Sequence, residues 1–176
     1  MLRLFQAGDR DVFRRLVGPE IPRLRAFGIR LCGRPDLADD LCQEVLLKAF
    51  RGCGSFRGEG SLRSWLFRIA ARLAHDPRRF SGEEPALVQE GSNPVVIAPD
   101  PGPLETATGR EFQARLELVL HELPFRQSAA MHLRAVEGFD YERIGTVLGC
   151  SNGAARMLVL EARRRLMSTF GKELES

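Results

Sequence analysis

Long apolar runs are missing from this chain. No stretch of about 18 consecutive apolar residues exists, which argues against a membrane-spanning helix and against direct insertion into a bilayer. The first residues, MLRLFQAGDRD, lack the apolar centre of a secretion signal, so the expected location is the cytoplasm. Cysteine is scarce. Cys32, Cys42, Cys53 and Cys150 are scattered and form no Cys-x-x-Cys pair, which excludes a disulfide scaffold and leaves free thiols as the expectation. The three histidines, His75, His121 and His132, stand far apart, and none lies at metal-ligand spacing from a cysteine. No glycine-rich phosphate loop, nucleophile motif or metal cluster is readable. No enzyme activity, metal or cofactor is therefore expected.

What is present is apolar periodicity and an uneven charge. The 176 residues are 44% hydrophobic, ample for one or two small packed cores. Residues 1–80 carry 16 Lys+Arg against 9 Asp+Glu. Residues 81–108 carry 5 acids, no Lys or Arg, and five of the ten prolines. Residues 109–176 are nearly balanced, at 10 Lys+Arg against 9 Asp+Glu. Mutual repulsion of acids, proline stiffness and little apolar surface make 81–108 a flexible linker. A short extended stretch is expected at Val95-Val96-Ile97. Such a tether lets the flanking domains close on each other or on an inhibitor. The expected fold is all-α, with helical domains at 1–80 and 109–176.

In the first domain a helical region runs from about Asp11 to Leu31, and Pro19 and Pro22 break it near Gly18. A turn at Gly33-Arg34-Pro35 precedes a helix from Asp36 to Phe50. Leu37, Leu41, Val45 and Ala49 make one apolar row of that helix, and Ala38, Cys42, Leu46 and Phe50 the next. Asp40, Gln43, Glu44 and Leu47 recur at i, i+3, i+4 and i+7 on the opposite face. That face is either a plain solvated surface or an acidic docking patch with an apolar centre. After the loop RGCGSFRGEGS, a third helix runs from about Leu62 to His75. Leu62, Trp65, Leu66, Ile69 and Leu73 point inward. Arg68, Arg72 and His75 share another face, Arg57 and Arg63 flank its start, and Arg78 and Arg79 follow. A basic face beside a glycine-rich loop bearing Phe56 suits a nucleic-acid backbone, although a solvated helix face reads the same way.

The stretch from Leu123 to Leu166 ends in a short helix, a tight turn at Gly149-Cys150 and a helix beginning at Ser151. Asp140 caps the first, Tyr141–Leu148, and Ser151 caps the second. Ile144, Val147, Leu148, Ala155, Leu158 and Ala162 keep helical spacing, so the pair can pack as a helix-turn-helix that offers its second helix to a major groove.

Taken in order, these pieces resemble the extracytoplasmic-function group of bacterial sigma factors. DLADDLCQEVLLKAF resembles the family's core-binding helix. SFRGEGSLRSWLFRIAARLAHDPRR resembles its promoter-melting segment. The stretch from Leu123 to Leu166 resembles its C-terminal helix-turn-helix domain. The resemblance implies that Asp40, Gln43, Glu44 and Leu47 dock on core RNA polymerase. It implies that Phe56, Arg57, Arg63, Arg68, Arg72, Arg78 and Arg79 hold the opened minus-ten element. It also implies that Ser151, Asn152, Ala154, Ala155, Arg156 and Arg163 meet the minus-thirty-five duplex. Proteins of this group are commonly restrained by an anti-sigma factor, often one anchored in the inner membrane.

The chain departs from the family pattern in two places. In the recognition helix Leu158 and Glu161 stand where basic residues are frequent, and in the melting segment Ala71-Arg72 stands where arginine then asparagine is common. Two other classes therefore stay open. An ordinary helix-turn-helix regulator leaves the N-terminal motifs unexplained. A sigma-like interaction protein accounts for the weaker recognition helix but not for the intact DLADDLCQE segment.

Overall fold

The structure, a computed structural model, describes residues 1–58, 60–76, 116 and 119–174, with the helix backbone alone over 171–174. The linker 81–108, with its expected extended stretch, lies outside the described residues, as do Arg78 and Arg79.

The N-terminal part is helical throughout. Helix α1, Leu2–Gln6, leads into α2, Arg10–Val17, which Asp9 caps by accepting from the backbone N–H of Asp11 and Val12 at 3.0 and 2.9 Å. The expected break at the prolines is a 3₁₀ turn, Gly18–Glu20, after which α3 runs over Ile21–Cys32. Pro22 sits in the first turn of α3, where its missing N–H leaves no bond unmade. Gly33, at φ 70°, ends that helix in the left-handed region. Helix α4, Pro35–Gly52, is slightly longer at both ends than its apolar pattern required. Helix α5, Leu62–Ala74, starts at the Ser61 cap, whose Oγ accepts from the Ser64 N–H at 3.1 Å.

Helices α3, α4 and α5 enclose the first core. Phe27, Leu41, Val45, Ala49, Leu66 and Phe67 have lost all contact with solvent, and each large apolar side chain so buried contributes about 1.5–3 kcal/mol. Leu41, Val45 and Ala49 of the first expected row of α4 and Ala38 and Cys42 of the second are buried in this core, while Leu37, Leu46 and Phe50 are half-buried. Gly28 lets α3 approach α4 closely, since a Cβ there would lie 3.1 Å from that of Ala38. Phe5, Phe13, Phe50, Phe56 and Trp65 form a second, aromatic layer, with ring centroids 5.1–6.3 Å apart.

The C-terminal part holds α6, Phe125–Ala135, α7, Tyr141–Leu148, and α8, Asn152–Leu174. Leu133, Ile144, Ala155, Val159 and Ala162 make its core. Asp140 caps α7 by accepting from the Arg143 N–H at 2.8 Å, and Ser151 caps α8 by accepting from the Ala154 N–H at 3.2 Å. Gly149, at φ 64°, turns the chain between them.

The two parts pack on each other. Helices α3 and α5 of the first face α6 and α7 of the second, and the buried apolar residues form one continuous cluster. The domains that the sequence expects to be able to close are closed here.

Gly145 makes the tight α7–α8 turn possible, because a Cβ there would stand 2.6 Å from the carbonyl oxygen of Cys150. Alanine favours helix by about 1 kcal/mol over glycine, but backbone cannot yield as a flexible side chain would. Gly145→Ala should therefore lower stability by about 1–3 kcal/mol, measured by denaturant unfolding. A gain in stability would show that the turn adjusts freely.

Candidate functional site

The working face of α4 follows from its period. With Leu41, Val45 and Ala49 turned into the core, Asp40 and Gln43 are exposed and Glu44 is half-buried, 3.8 Å from Lys48. Leu47 is 55% exposed at the centre of this acidic ring. Beside it, Leu46 and Phe50 border an open apolar groove of about 450 Å³ between α2 and α4. Phe13, Val17 and Ile21 complete its walls, with Arg10 and Arg14 at its rim. The sequence reading missed this groove. Its walls come from segments on both sides of the Gly18 break, so no single helical period reveals it.

Around α5 the expected nucleic-acid residues separate into three sets. Arg57 and Arg72 are exposed and Arg68 is half-buried, as a basic surface requires. Gly58 and Gly60, at φ 76° and 80°, give the preceding loop a shape that side-chain-bearing residues rarely adopt. Phe56 is different. It is 9% exposed, packed on Phe5 and Trp65, and its carbonyl accepts from Gln6 Nε2 at 2.7 Å. In this arrangement its ring anchors the loop and offers no free face to a base. Arg63 is also committed. It donates to both Glu20 oxygens at 2.7 and 3.2 Å and lies 4.0 Å from Glu137. The Glu20 hydrogen bond holds the Arg63 guanidinium above its ordinary range.

Of the expected duplex-contacting residues, Ser151 just before α8 and Asn152, Ala154, Arg156 and Arg163 within it are exposed. Ala155 is a correction to the sequence reading: it is fully buried against the domain core and cannot meet DNA. The two departures from the family pattern also turn inward. Leu158 packs against the core, and Glu161 accepts from Gln127 Nε2 of α6 at 2.8 Å. These two residues hold α8 to α6, so they are not gaps in a basic reading surface.

Between the domains lies a cluster that the sequence did not reveal. Glu137, in the α6–α7 loop, has a side chain 1% exposed. Arg23 Nη1 of α3 donates to it at 3.1 Å, and His132 Nε2 of α6 lies 3.9 Å away. The His132 ring packs on Phe27 at 5.2 Å, Phe139 on Phe67 at 5.8 Å, and Phe125 on His75 at 5.1 Å. Burial, aided by the Arg30 charge, pushes His132 down to about 4. His132 stands in the apolar row Ala129–Leu133, and Glu137 is a loop residue. Nothing in the local pattern of either points to a partner on another domain. Of the thiols, Cys42 and Cys53 are buried, Cys32 and Cys150 half-buried, and all four are free. Burial raises Cys42 to about 11, which keeps it protonated and unreactive.

Residues 16–82 match the family model of sigma-70 region 2, and residues 113–166 that of sigma-70 region 4. The chain is 36% identical to the ECF RNA polymerase sigma factor EcfG of Rhodopseudomonas palustris, over 83% of this chain and 78% of that protein. The chain belongs to the extracytoplasmic-function sigma factors. It is also 30% identical to RNA polymerase sigma factor CarQ of Myxococcus xanthus, over 97% of each. Among solved structures, the sigma factor RpoE of Bartonella quintana, in complex with the anti-sigma factor NepR, superposes with a TM-score of 0.68. It shares 29% identity, covering 89% of this chain and 94% of that one. CnrH, in complex with the cytosolic domain of CnrY, shares the fold with a TM-score of 0.68 at 22% identity, covering 97% of this chain and 95% of that one. This sigma factor directs RNA polymerase to initiate transcription at its promoters, with region 2 supplied by α2–α5 and region 4 by α6–α8. Among the described residues, no helix is long and apolar enough to cross a membrane.

The facing of α8 can be tested directly. Ala155→Arg buries an unpaired charge and should destabilise the chain by roughly 3 kcal/mol or more, whereas Ala154→Arg on the exposed side should stay within about 0.5 kcal/mol. Equal unfolding midpoints for the two variants would mean that the helix is rotated from the orientation described here.

Proposed function

We propose that the exposed face of α4, with Leu47 at its centre, is the contact of this sigma factor with core RNA polymerase. The observation that carries the reading is a leucine 55% exposed on a helix whose Ala38, Leu41, Cys42, Val45 and Ala49 are spent on the core. Asp40, Gln43 and Glu44 form a polar rim around it, the arrangement in which one anchor supplies much of an interface's energy. Arg57, Arg68 and Arg72 hold the opened minus-ten element, together with the loop that Phe56 anchors and with Arg78 and Arg79. Arg63 joins them once its carboxylate partners release it. Asn152 and Arg156 of α8 read base edges at the minus-thirty-five element, through adenine and guanine contacts. Ser151 and Ala154 lie against the duplex, and Arg163 meets phosphate.

The protein works in the cytoplasm, where polymerase is. It has an anti-sigma factor as its inhibitor. Two structural relatives are sigma factors captured with anti-sigma factors, NepR and CnrY, which supports that partner class. The resemblance further implies that this inhibitor is anchored in the inner membrane. The chemistry is recognition alone: the catalytic centre belongs to polymerase.

Leu47→Ala and Glu44→Lys should each weaken core binding, the leucine by about 2 kcal/mol, or roughly thirtyfold in Kd, with no change in unfolding. Undiminished affinity in both would remove α4 from the interface. At the other end, Arg156→Ala should lower run-off transcription from the protein's own promoter while core affinity holds. Each bidentate base contact carries about 1–3 kcal/mol of discrimination. Normal transcription would show that Arg156 does not read the promoter.

A further inference from the structure

We infer that Gln6, in the short first helix of the chain, is a positioning residue for promoter opening: it fixes the shape of the loop after α4 and so sets which bases that loop accepts at the minus-ten element. The inference rests on the reading of this loop, with Arg57, Arg68 and Arg72, as the minus-ten contact surface. Gln6 acts through the loop and touches no DNA.

The loop has little to hold it from within. After α4 the chain makes a 3₁₀ turn, Cys53–Ser55. The Phe56 N–H donates to the Cys53 carbonyl at 3.1 Å, and the Ser55 hydroxyl to the Gly52 carbonyl at 2.7 Å. Gly54, Ser55, Arg57, Gly58 and Gly60 are exposed, and three of these are glycines, with no side chain to pack. Such a segment samples many conformations unless an outside contact selects one.

Helix α1 supplies that contact. Gln6 holds the loop at both ends of its turn. Its Nε2 donates to the Phe56 carbonyl at 2.7 Å, and its own carbonyl accepts from the Cys53 thiol at 3.8 Å. The two bonds span 50 and 47 residues of chain. Leu2 covers the next part of the loop, since a Cβ on Gly58 would stand 3.2 Å from Leu2 Cδ2. A Cβ on Gly54 would lie 3.5 Å from the Gln6 carbonyl oxygen, so the backbones of α1 and the turn run close together.

Helix α1 is itself braced. Its five residues are too few for a helix that stands alone. Phe5, 1% exposed, stacks on Phe13 of α2 and meets Phe56 and Trp65 edge-on, with centroids 5.7–6.3 Å apart. Trp65 belongs to α5, the helix that carries Arg68 and Arg72. Gln6 therefore ties the loop backbone to the same aromatic layer that seats α5.

The ring and the carbonyl of Phe56 are both taken up within the protein. What remains for a base is the exposed main chain of the loop with the side chains of Ser55 and Arg57. Main-chain groups discriminate between bases only if their directions are fixed before the base arrives. The group that fixes them here lies before the stretch that matches the region 2 model, residues 16–82. Base preference at the minus-ten element is thus set in part by a segment outside that model.

Transcription by the full chain with core polymerase, on templates carrying each single-base change of the minus-ten element, tests this. Gln6→Met keeps the length of the side chain and removes the donor. It should cut the preference for the native minus-ten sequence about tenfold, the net worth of one hydrogen bond, while core affinity and the unfolding midpoint hold. A merely structural role would lower output on every template alike and leave the preference intact. Gln6→Lys returns a donor at similar reach and should restore the preference. Its added charge attracts all templates equally, so the ratio between them is unaffected. Leu2→Ala, at a partly exposed side chain, should flatten the preference in the same direction, and it decides the matter should Gln6→Met unfold. If Gln6→Met and Leu2→Ala both keep the wild-type preference, α1 does not set the loop. If Gln6→Lys is as flat as Gln6→Met, the hydrogen bond to Phe56 is not the positioning contact. Permanganate footprinting of Arg57→Ala/Arg72→Ala tests the underlying reading separately. Lost opening there, with an unchanged preference in Gln6→Met, overturns the role of Gln6 alone. Normal opening there overturns the assignment of the arginines, and a flattened preference in Gln6→Met would still assign the loop to DNA.

Discussion

Phe27 and Phe67 meet with their ring centroids 5.0 Å apart, and most of the molecule is arranged around that contact. On one side they close the core of region 2, tying α3 to α5. On the other, each touches region 4, Phe27 through His132 and Phe67 through Phe139. Aromatic pairs of this kind add about 0.5–1.5 kcal/mol each beyond the area they bury. The same two rings thus supply cohesion within one domain and adhesion between two. The core of region 2 is thus continuous with the seam to region 4.

That double duty explains why charge is concentrated where it is. Apolar adhesion alone is non-directional and would not distinguish a correct docking from a slipped one. Glu137 makes the seam specific because its compensating cations arrive only when α3 and α5 are both in register with the α6–α7 loop. The same carboxylate also opposes the adhesion, since desolvating a charge offsets part of the gain from the burial that surrounds it. Arg63, which the proposed function assigns to the opened minus-ten element, is here engaged by Glu20 and lies near Glu137.

Helix positions were legible in the sequence wherever a face was fully committed. In α4, two adjacent apolar rows left one direction for Leu47, and the structure exposes it. Asp140, Gly149 and Ser151 marked the α7–α8 turn through short-range backbone chemistry that needs no tertiary partner. What could not be read depended on contacts between distant segments. Phe56 looked like a loop aromatic free to stack, because nothing local announces that Phe5 and Trp65 enclose it. Ala155 looked like a reading residue because it sits in the first turn of α8, although its direction is set by packing against α6 and α7. Glu137 and His132 carried no signal, because their partners lie more than 100 residues away in the chain or on another helix.

The departures in α8 show how such a context changes a conclusion. From the sequence, Leu158 and Glu161 suggest a reading helix stripped of basic residues and a weakened affinity for DNA. In the structure both side chains are half-buried and engaged within the domain: Leu158 packs against the core, and Glu161 accepts from Gln127 of α6. A basic residue at 161 would lose that hydrogen bond and loosen the angle between α6 and α8, which aims Asn152 and Arg156. Residues 109–176 carry a net charge of only +1, so general attraction of this domain to a duplex is weak. Weak general attraction and few base-reading side chains limit region 4 acting alone. Under the function proposed above, selectivity would then rest on geometry, with polymerase setting the positions of region 2 and region 4 on the two promoter elements.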